Sequence, residues 1–125
     1  PNLTKAHYIL GVAYRDKGKL DDAILEFQKA IDIQPDLAKA HYALGVAYYD
    51  KDKLDDAILE FQRVIMINPD FAEAYVNLGN AYASKGDSEN AMLNFQRFMV
   101  LAKDNTRLQR LIPQVKKLIR QLQRK

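Results

Sequence analysis

His7 and His41 are the only histidines in the chain, and they stand 34 residues apart. Two imidazoles can share a metal ion, but structural metal sites usually add thiolates or a second histidine four residues along a helix. The chain has no cysteine, and neither histidine has such a partner. The residues therefore support no metal site and no cofactor, and the rings read as packing groups. Asp21-Asp22, Asp55-Asp56, Glu26 and Glu60 could be taken for paired carboxylates doing general acid and base work. They read instead as acids at the start of helices, where the positive end of the dipole favours them. No phosphate-binding glycine loop, dinucleotide fingerprint, HExxH or GxSxG is present. Nothing in the sequence supports catalysis, so function has to come from a surface.

What positions these residues is a repeat. AHYILGVAYRDKGKLDDAILEFQ (6–28) returns as AHYALGVAYYDKDKLDDAILEFQ (40–62) and, more divergent, as AYVNLGNAYASKGDSENAMLNFQ (74–96), each 34 residues on. A period of this length means stacked supersecondary units that bury a continuous core between neighbours. The first two units agree at 25 of 34 positions, which duplication or engineering would both produce.

Each unit reads as two helices. Ala6, Leu10, Ala13 and Tyr14 recur at helical spacing in the first, and Ala23, Phe27 and Ile31 in the second. Pro35 and Pro69 end the preceding helices, and Asn2, Asp36 and Asp70 are expected to cap the next ones. Gly18, Asp52 and Gly86 share one turn position, where a left-handed backbone is tolerated. Beyond Asp104, Leu108, Leu111, Ile112, Val115, Leu118, Ile119 and Leu122 form an apolar stripe on a basic helix, with a kink or break expected near 110–113 because of Pro113.

Leu10, Gly11, Tyr14, Ala23, Phe27, Ala30 and Pro35 resemble the signature of the tetratricopeptide repeat (TPR). Leu44, Gly45, Tyr48, Ala57, Phe61 and Pro69 repeat it, as do Leu78, Gly79, Tyr82, Ala91 and Phe95. His7, His41 and Tyr75 take the place of the usual aromatic residue, Val64 and Phe98 that of a small one, and Lys103 that of the closing proline. The resemblance implies an all-α, right-handed superhelical solenoid of antiparallel helix pairs. Three units are expected at about 2–37, 38–71 and 72–104, with a basic amphipathic capping helix over 105–125. Pro1-Asn2-Leu3 matches the unit junction Pro35-Asp36-Leu37, so further repeats are expected upstream in the native chain.

In this family the first helices line a concave face. By register that groove is expected to carry Lys5, Tyr8, Val12, Arg15, Lys39, Tyr42, Val46, Tyr49, Glu73, Asn77 and Asn80, with Ile9, Ala43, Asp50, Val76 and Ala83 alongside. Tyrosine and valine facing an open groove make an apolar patch rimmed by charge, a mark of interaction sites. Asn77 and Asn80 offer donors and acceptors to a peptide backbone. Tyr14, Tyr48 and Tyr82 are expected in the core. Some relatives grip the carboxylate of a chaperone's C-terminus with lysine, arginine and asparagine. In one frame the corresponding residues are Tyr8, Val12, Ala43, Glu73 and Asn77, none of the type its own position needs. One unit on they are Tyr42, Val46, Asn77, Arg107 and Leu111, of which only Asn77 and Arg107 are compatible, so that clamp is not expected.

The expected function is a non-catalytic protein–protein interaction module holding a peptide or partner segment. The alternative is a scaffold that self-assembles head to tail or by swapping into a homo-oligomer, because the ends of repeat arrays are adhesive. The formal charge of +3 comes from the tail. Residues 1–103 carry 12 basic and 15 acidic side chains, and residues 104–125 seven basic against Asp104 alone. A basic helix can attract anionic lipid or nucleic acid, but no aromatic residue interleaves these charges, which argues against both partners. The lack of cysteine favours a cytoplasmic location.

Overall fold

The computed structural model describes residues 3–124. Helices α1 (Leu3–Asp16), α2 (Leu20–Ile33), α3 (Ala38–Asp50), α4 (Leu54–Ile67), α5 (Ala72–Ser84), α6 (Ser88–Ala102), α7 (Thr106–Gln109) and α8 (Ile112–Gln123) account for the described secondary structure, which contains no strand. They fall into two compact units, Pro1–Asn68 and Pro69–Lys125. In the first, α1 packs on α2, α2 on α3 and α3 on α4; in the second, α5 packs on α6, and α6 also carries α7 and α8. No helix among the described residues is long and apolar enough to cross a membrane.

The turns inside each helix pair follow one design. Gly18, Asp52 and Gly86 have φ of 76°, 63° and 85°. This lets the N–H of Lys19, Lys53 and Asp87 donate to the carbonyls of Tyr14, Tyr48 and Tyr82, each at 2.9 Å. A left-handed backbone is costly for any residue with a Cβ. Asp52→Gly is therefore expected to stabilise the protein by about 0.5–1 kcal/mol, and Gly86→Ala to destabilise it by about as much, in denaturant unfolding.

Between pairs, the expected caps are corrected. Helices α3 and α5 are capped by Leu37 and Phe71, with no side-chain cap bond, while Asp36 and Asp70 lie one residue earlier in the turn. Leu37 instead uses its carbonyl, which accepts from Ala40 and His41. Both Leu37 and Phe71 are half-buried, so an apolar residue anchors the helix start where a cap side chain was expected. Asn2 lies outside the described residues. Gln34 (φ −133°, ψ 86°) and Asn68 (φ −137°, ψ 94°), the C-caps before each proline, have left the helical region, as a following proline demands.

Each helix pair sets an aromatic ring against a glycine. Phe27, Phe61 and Phe95 are fully buried, together with Ala23, Ala57 and Ala91. Each ring lies over the helix-interior Gly11, Gly45 or Gly79 of its own pair, where an added Cβ would come within 2.6 Å, 2.6 Å and 2.3 Å of the ring. Phe98 and Val64, large for their register, are also buried.

The C-terminal segment is two helices. Asn105 caps α7 by accepting from the N–H of Leu108 at 3.3 Å, and the helix stops at Gln109. Helix α8 restarts at Ile112, so Pro113 occupies the first turn, where its missing N–H costs nothing. Leu108 and Val115 are buried, while Leu118, Ile119 and Leu122 remain half-exposed.

Candidate functional site

The histidines are held by carboxylates. His7 Nδ1 lies 2.8 Å from Glu26 Oε1, and His41 Nδ1 lies 2.7 Å from Glu60 Oε1. His41 Nε2 donates to the carbonyl of Pro35 at 2.7 Å. Both nitrogens of that ring are thereby engaged with oxygen, which leaves no lone pair for a metal. The expectation that Glu26 and Glu60 sit at helix starts is corrected: both lie mid-helix and buried, because they serve the histidine of the preceding helix. Their second oxygens accept from Lys29 (3.1 Å) and Arg63 (2.5 Å). The bond from His7 holds the Glu26 carboxyl below its usual range, against the opposing effect of burial and with help from Lys29. Asp21-Asp22 and Asp55-Asp56 do occupy first turns and are exposed. Asp21 is held below the usual carboxylate range by the hydrogen bond and charge of Lys51.

Within the first unit, Lys5, Tyr8, Val12 and Arg15 run along α1 at three- and four-residue spacing, and Lys39, Tyr42, Val46 and Tyr49 repeat that stripe on α3. The tyrosines, valines and Arg15 are half-buried, and the lysines are exposed, as are Ile9 and Asp50. Tyr8 rests against Phe27 with ring centroids 5.8 Å apart and planes tilted by 49°. Tyr42 does the same against Phe61, at 5.8 Å and 53°. The ammonium of Lys39 stands 4.9 Å from the centroid of the Tyr8 ring, a cation–π contact joining the two stripes. Ala43 departs from expectation: it is 2% exposed and belongs to the core cluster with Ala23, Phe27, Leu44 and Ala47. Tyr14, Tyr48 and Tyr82, expected in the core, are only half-buried; Tyr48 pulls outward to accept from Gln28 Nε2 at 3.1 Å.

Within the second unit, Glu73, Val76, Asn77, Asn80 and Ala83 lie half-buried on α5. Glu73 accepts from Arg107 Nη1 at 2.7 Å. Burial pushes its carboxyl up, but the Arg107 bond, a backbone bond and the charges of Arg107 and Arg110 outweigh it and hold the pKa below the usual range. Arg107 and Glu73 hold one register of the repeat. Lys5, Lys39, Glu73 and Arg107 are spaced by the same 34 residues.

These helix pairs recur in other proteins. The sequence matches the TPR repeat family over residues 11–52 and 47–86, and the tetratricopeptide repeat family over residues 72–105. The chain belongs to the tetratricopeptide repeat family. Its all-α repeat fold is shared by the TPR2B domain of yeast Sti1, solved as a pHsp70 complex, with a TM-score of 0.93, 14% identity and coverage of 99% of this chain and 98% of that one. The Yersinia enterocolitica type III secretion chaperone SycD, in complex with a peptide of the translocator YopD, gives 0.94 at 15% identity over 98% and 94%. The first TPR of Spaghetti (RPAP3), bound to an HSP90 peptide, gives 0.80 at 20% identity over 94% of each chain. No curated protein matches the chain by sequence.

Proposed function

We propose that this TPR domain is a non-catalytic interaction module that holds a segment of a partner protein against α1 and α3. Tyr8, Tyr42 and Tyr49 anchor that segment, Val12 and Val46 supply apolar contact, and Lys5, Arg15 and Lys39 rim it. In the second unit, Glu73, Asn77 and Asn80 on α5 offer polar groups of the kind that hold a peptide backbone. The observation that carries the reading is the paired Tyr–Phe geometry. Two successive helix pairs prop a half-exposed tyrosine on a fully buried phenylalanine at the same distance and nearly the same tilt. A ring held this way loses little conformational entropy on binding, and rigid tyrosines are favoured anchors for that reason. The peptides bound to similar TPR domains support the same class of ligand. A carboxylate clamp is disfavoured, because Glu73 stands at one of its positions and is ionised.

Selection of phage-displayed dodecapeptides on the intact protein tests this reading. Enriched peptides are expected to lose about thirtyfold or more in affinity, roughly 2 kcal/mol, against the double variant Tyr42→Ala/Tyr49→Ala, with helical circular dichroism unchanged. Failure to enrich any peptide, or equal affinity for the variant, counts against the groove.

One observation favours self-association as a second reading. Leu10 is 41% exposed, whereas its counterparts Leu44 and Leu78 are 3% and 1% exposed. Leu3, Ala6 and Ala13 are exposed beside it, so α1 presents an apolar stripe at heptad spacing. Two such helices related by a twofold axis would set each leucine against an alanine, Leu3 on Ala13 and Leu10 on Ala6. Sedimentation over a hundredfold concentration range is expected to show mass rising with concentration and Leu10→Glu abolishing the rise; constant monomer mass eliminates this reading.

A further inference from the structure

A second cleft in the first unit shares no residue with the proposed peptide face. It has a volume of about 410 Å³ and is bounded by α2, α3 and α4. Leu44, buried, and Ile31, half-buried, form its base, with the more exposed Leu59 as an apolar wall. Gln28 and Tyr48 join across it through their hydrogen bond. Four charged residues complete the lining. Of these, Glu60 and Arg63 neutralise one another through a 2.5 Å ion pair, and Glu60 also serves His41. The remaining two, Asp32 and Asp56, are exposed carboxylates with no ion pair among the described residues. The cleft is therefore acidic by two charges over an apolar base. Burial and the charges of Asp56 and Glu60 raise the pKa of Tyr48, which keeps its hydroxyl proton and its neutral ring.

Repeat register sharpens the point. Asp32 is one of the nine positions at which the first two repeats differ, and Met66 stands in its place in the second. The carboxylate belongs to this cleft and is not a requirement of the repeat.

We propose that the cleft receives an arginine side chain presented by a partner protein. Its aliphatic stem matches Ile31, Leu44 and Leu59. Its planar guanidinium meets the acidic rim of Asp32 and Asp56, beside Tyr48, and presents more donors to carboxylates than a compact ammonium does. Charge complementarity selects this occupant: an acidic peptide meets two carboxylates, and a neutral apolar one leaves them desolvated and unpaired. The site does not depend on Tyr8, Tyr42 or Tyr49.

The test is a proton–nitrogen correlation titration of the intact protein with N-acetyl-arginine methylamide, beside its neutral isostere N-acetyl-citrulline methylamide. Saturable shifts are expected at the amides of Ile31, Leu44, Tyr48 and Leu59, with a Kd on the order of 1 mM. Binding is expected to weaken about tenfold with citrulline and in Asp32→Asn/Asp56→Asn, and to persist in Tyr42→Ala/Tyr49→Ala. The two aspartates are exposed, and the spectrum itself reports whether the variant is folded. Free L-arginine is expected to bind no tighter than the blocked form. Absence of saturation, equal shifts with citrulline, or shifts spread evenly over other surface carboxylates overturns the proposal. Tenfold tighter binding of the free amino acid overturns the side-chain assignment in favour of a small-molecule ligand.

Discussion

Gly79→Ala is expected to destabilise the protein by about 2 kcal/mol. In a helix interior, alanine in place of glycine ordinarily gains about 1 kcal/mol, so propensity alone predicts the opposite sign. Packing decides it. The new Cβ would lie 2.3, 2.5 and 2.7 Å from three carbons of the Phe95 ring, distances that require something to move. Phe95 is 1% exposed and packed on all sides, so the ring cannot swing into solvent. Overpacking of a dense core costs about 1–3 kcal/mol and sometimes more, which outweighs the propensity gain. Gly45→Ala is expected to cost less, because its contacts with Phe61 are 2.6, 2.9 and 3.0 Å. Guanidinium unfolding of the two variants ranks them, and Gly79→Ala/Phe95→Leu is expected to recover part of the loss by making room. A stabilised Gly79→Ala would mean that the glycine–phenylalanine contact does not limit the approach of α5 to α6.

The positions of those glycines could be read from the sequence, because each repeats at a fixed offset from its phenylalanine. Gly79 precedes Phe95 by the same interval that separates Gly11 from Phe27. The helix pairs, the left-handed turn at Gly18, Asp52 and Gly86, and the break near Pro113 were legible for the same reason: each is local and repeated. Capping was not. Asp36 and Asp70 have the right side chain, but burial of Leu37 and Phe71 sets the helix start one residue later. The cap of α7, Asn105, falls in the register of Leu37 and Phe71, and Pro113 in that of Gly11, Gly45 and Gly79, but this segment caps with a side chain, stops at Gln109 and restarts at Ile112. On the candidate face, periodicity put Tyr8 and Tyr42 at the same place on equivalent stripes of α1 and α3, yet no pattern in one helix reveals the phenylalanine beneath each ring. Ala43 was misassigned because a stripe has two edges, and only the packing of α2 on α3 shows which edge is covered.

The histidine–glutamate pairs were also missed, and they carry the second large effect. Glu60→Ala is expected to cost about 3 kcal/mol. His41 Nε2 faces the Pro35 carbonyl, which can only accept, so that nitrogen carries a proton; a second proton lies between Nδ1 and Glu60 Oε1. Removing the carboxylate leaves the buried Nδ1 without its partner and releases Arg63, and breaking one side of a buried pair costs about 3–5 kcal/mol. Glu26→Ala is expected to cost roughly half as much, since the His7 side chain is 28% exposed and water can replace the lost partner. The third repeat shows the remedy. There Tyr75 replaces histidine and donates to the Pro69 carbonyl at 3.1 Å, the same bond His41 makes to Pro35. Asn94 replaces glutamate and turns its amide to the carbonyl of Asn90 at 2.8 Å, satisfying itself within its own helix. His41→Tyr alone strands a buried carboxylate oxygen, and Glu60→Asn alone strands Nδ1. The double variant restores a pairing the chain already uses and is expected to lie within about 1 kcal/mol of the parent, a coupling of about 2 kcal/mol in a double-mutant cycle. The bond from residue 41 to Pro35 ties α3 to the turn before it and fixes the register that carries Lys39 and Tyr42. Simple additivity of the two substitutions in guanidinium unfolding would show that these residues act independently, and that α3 is held at its start by Leu37 alone.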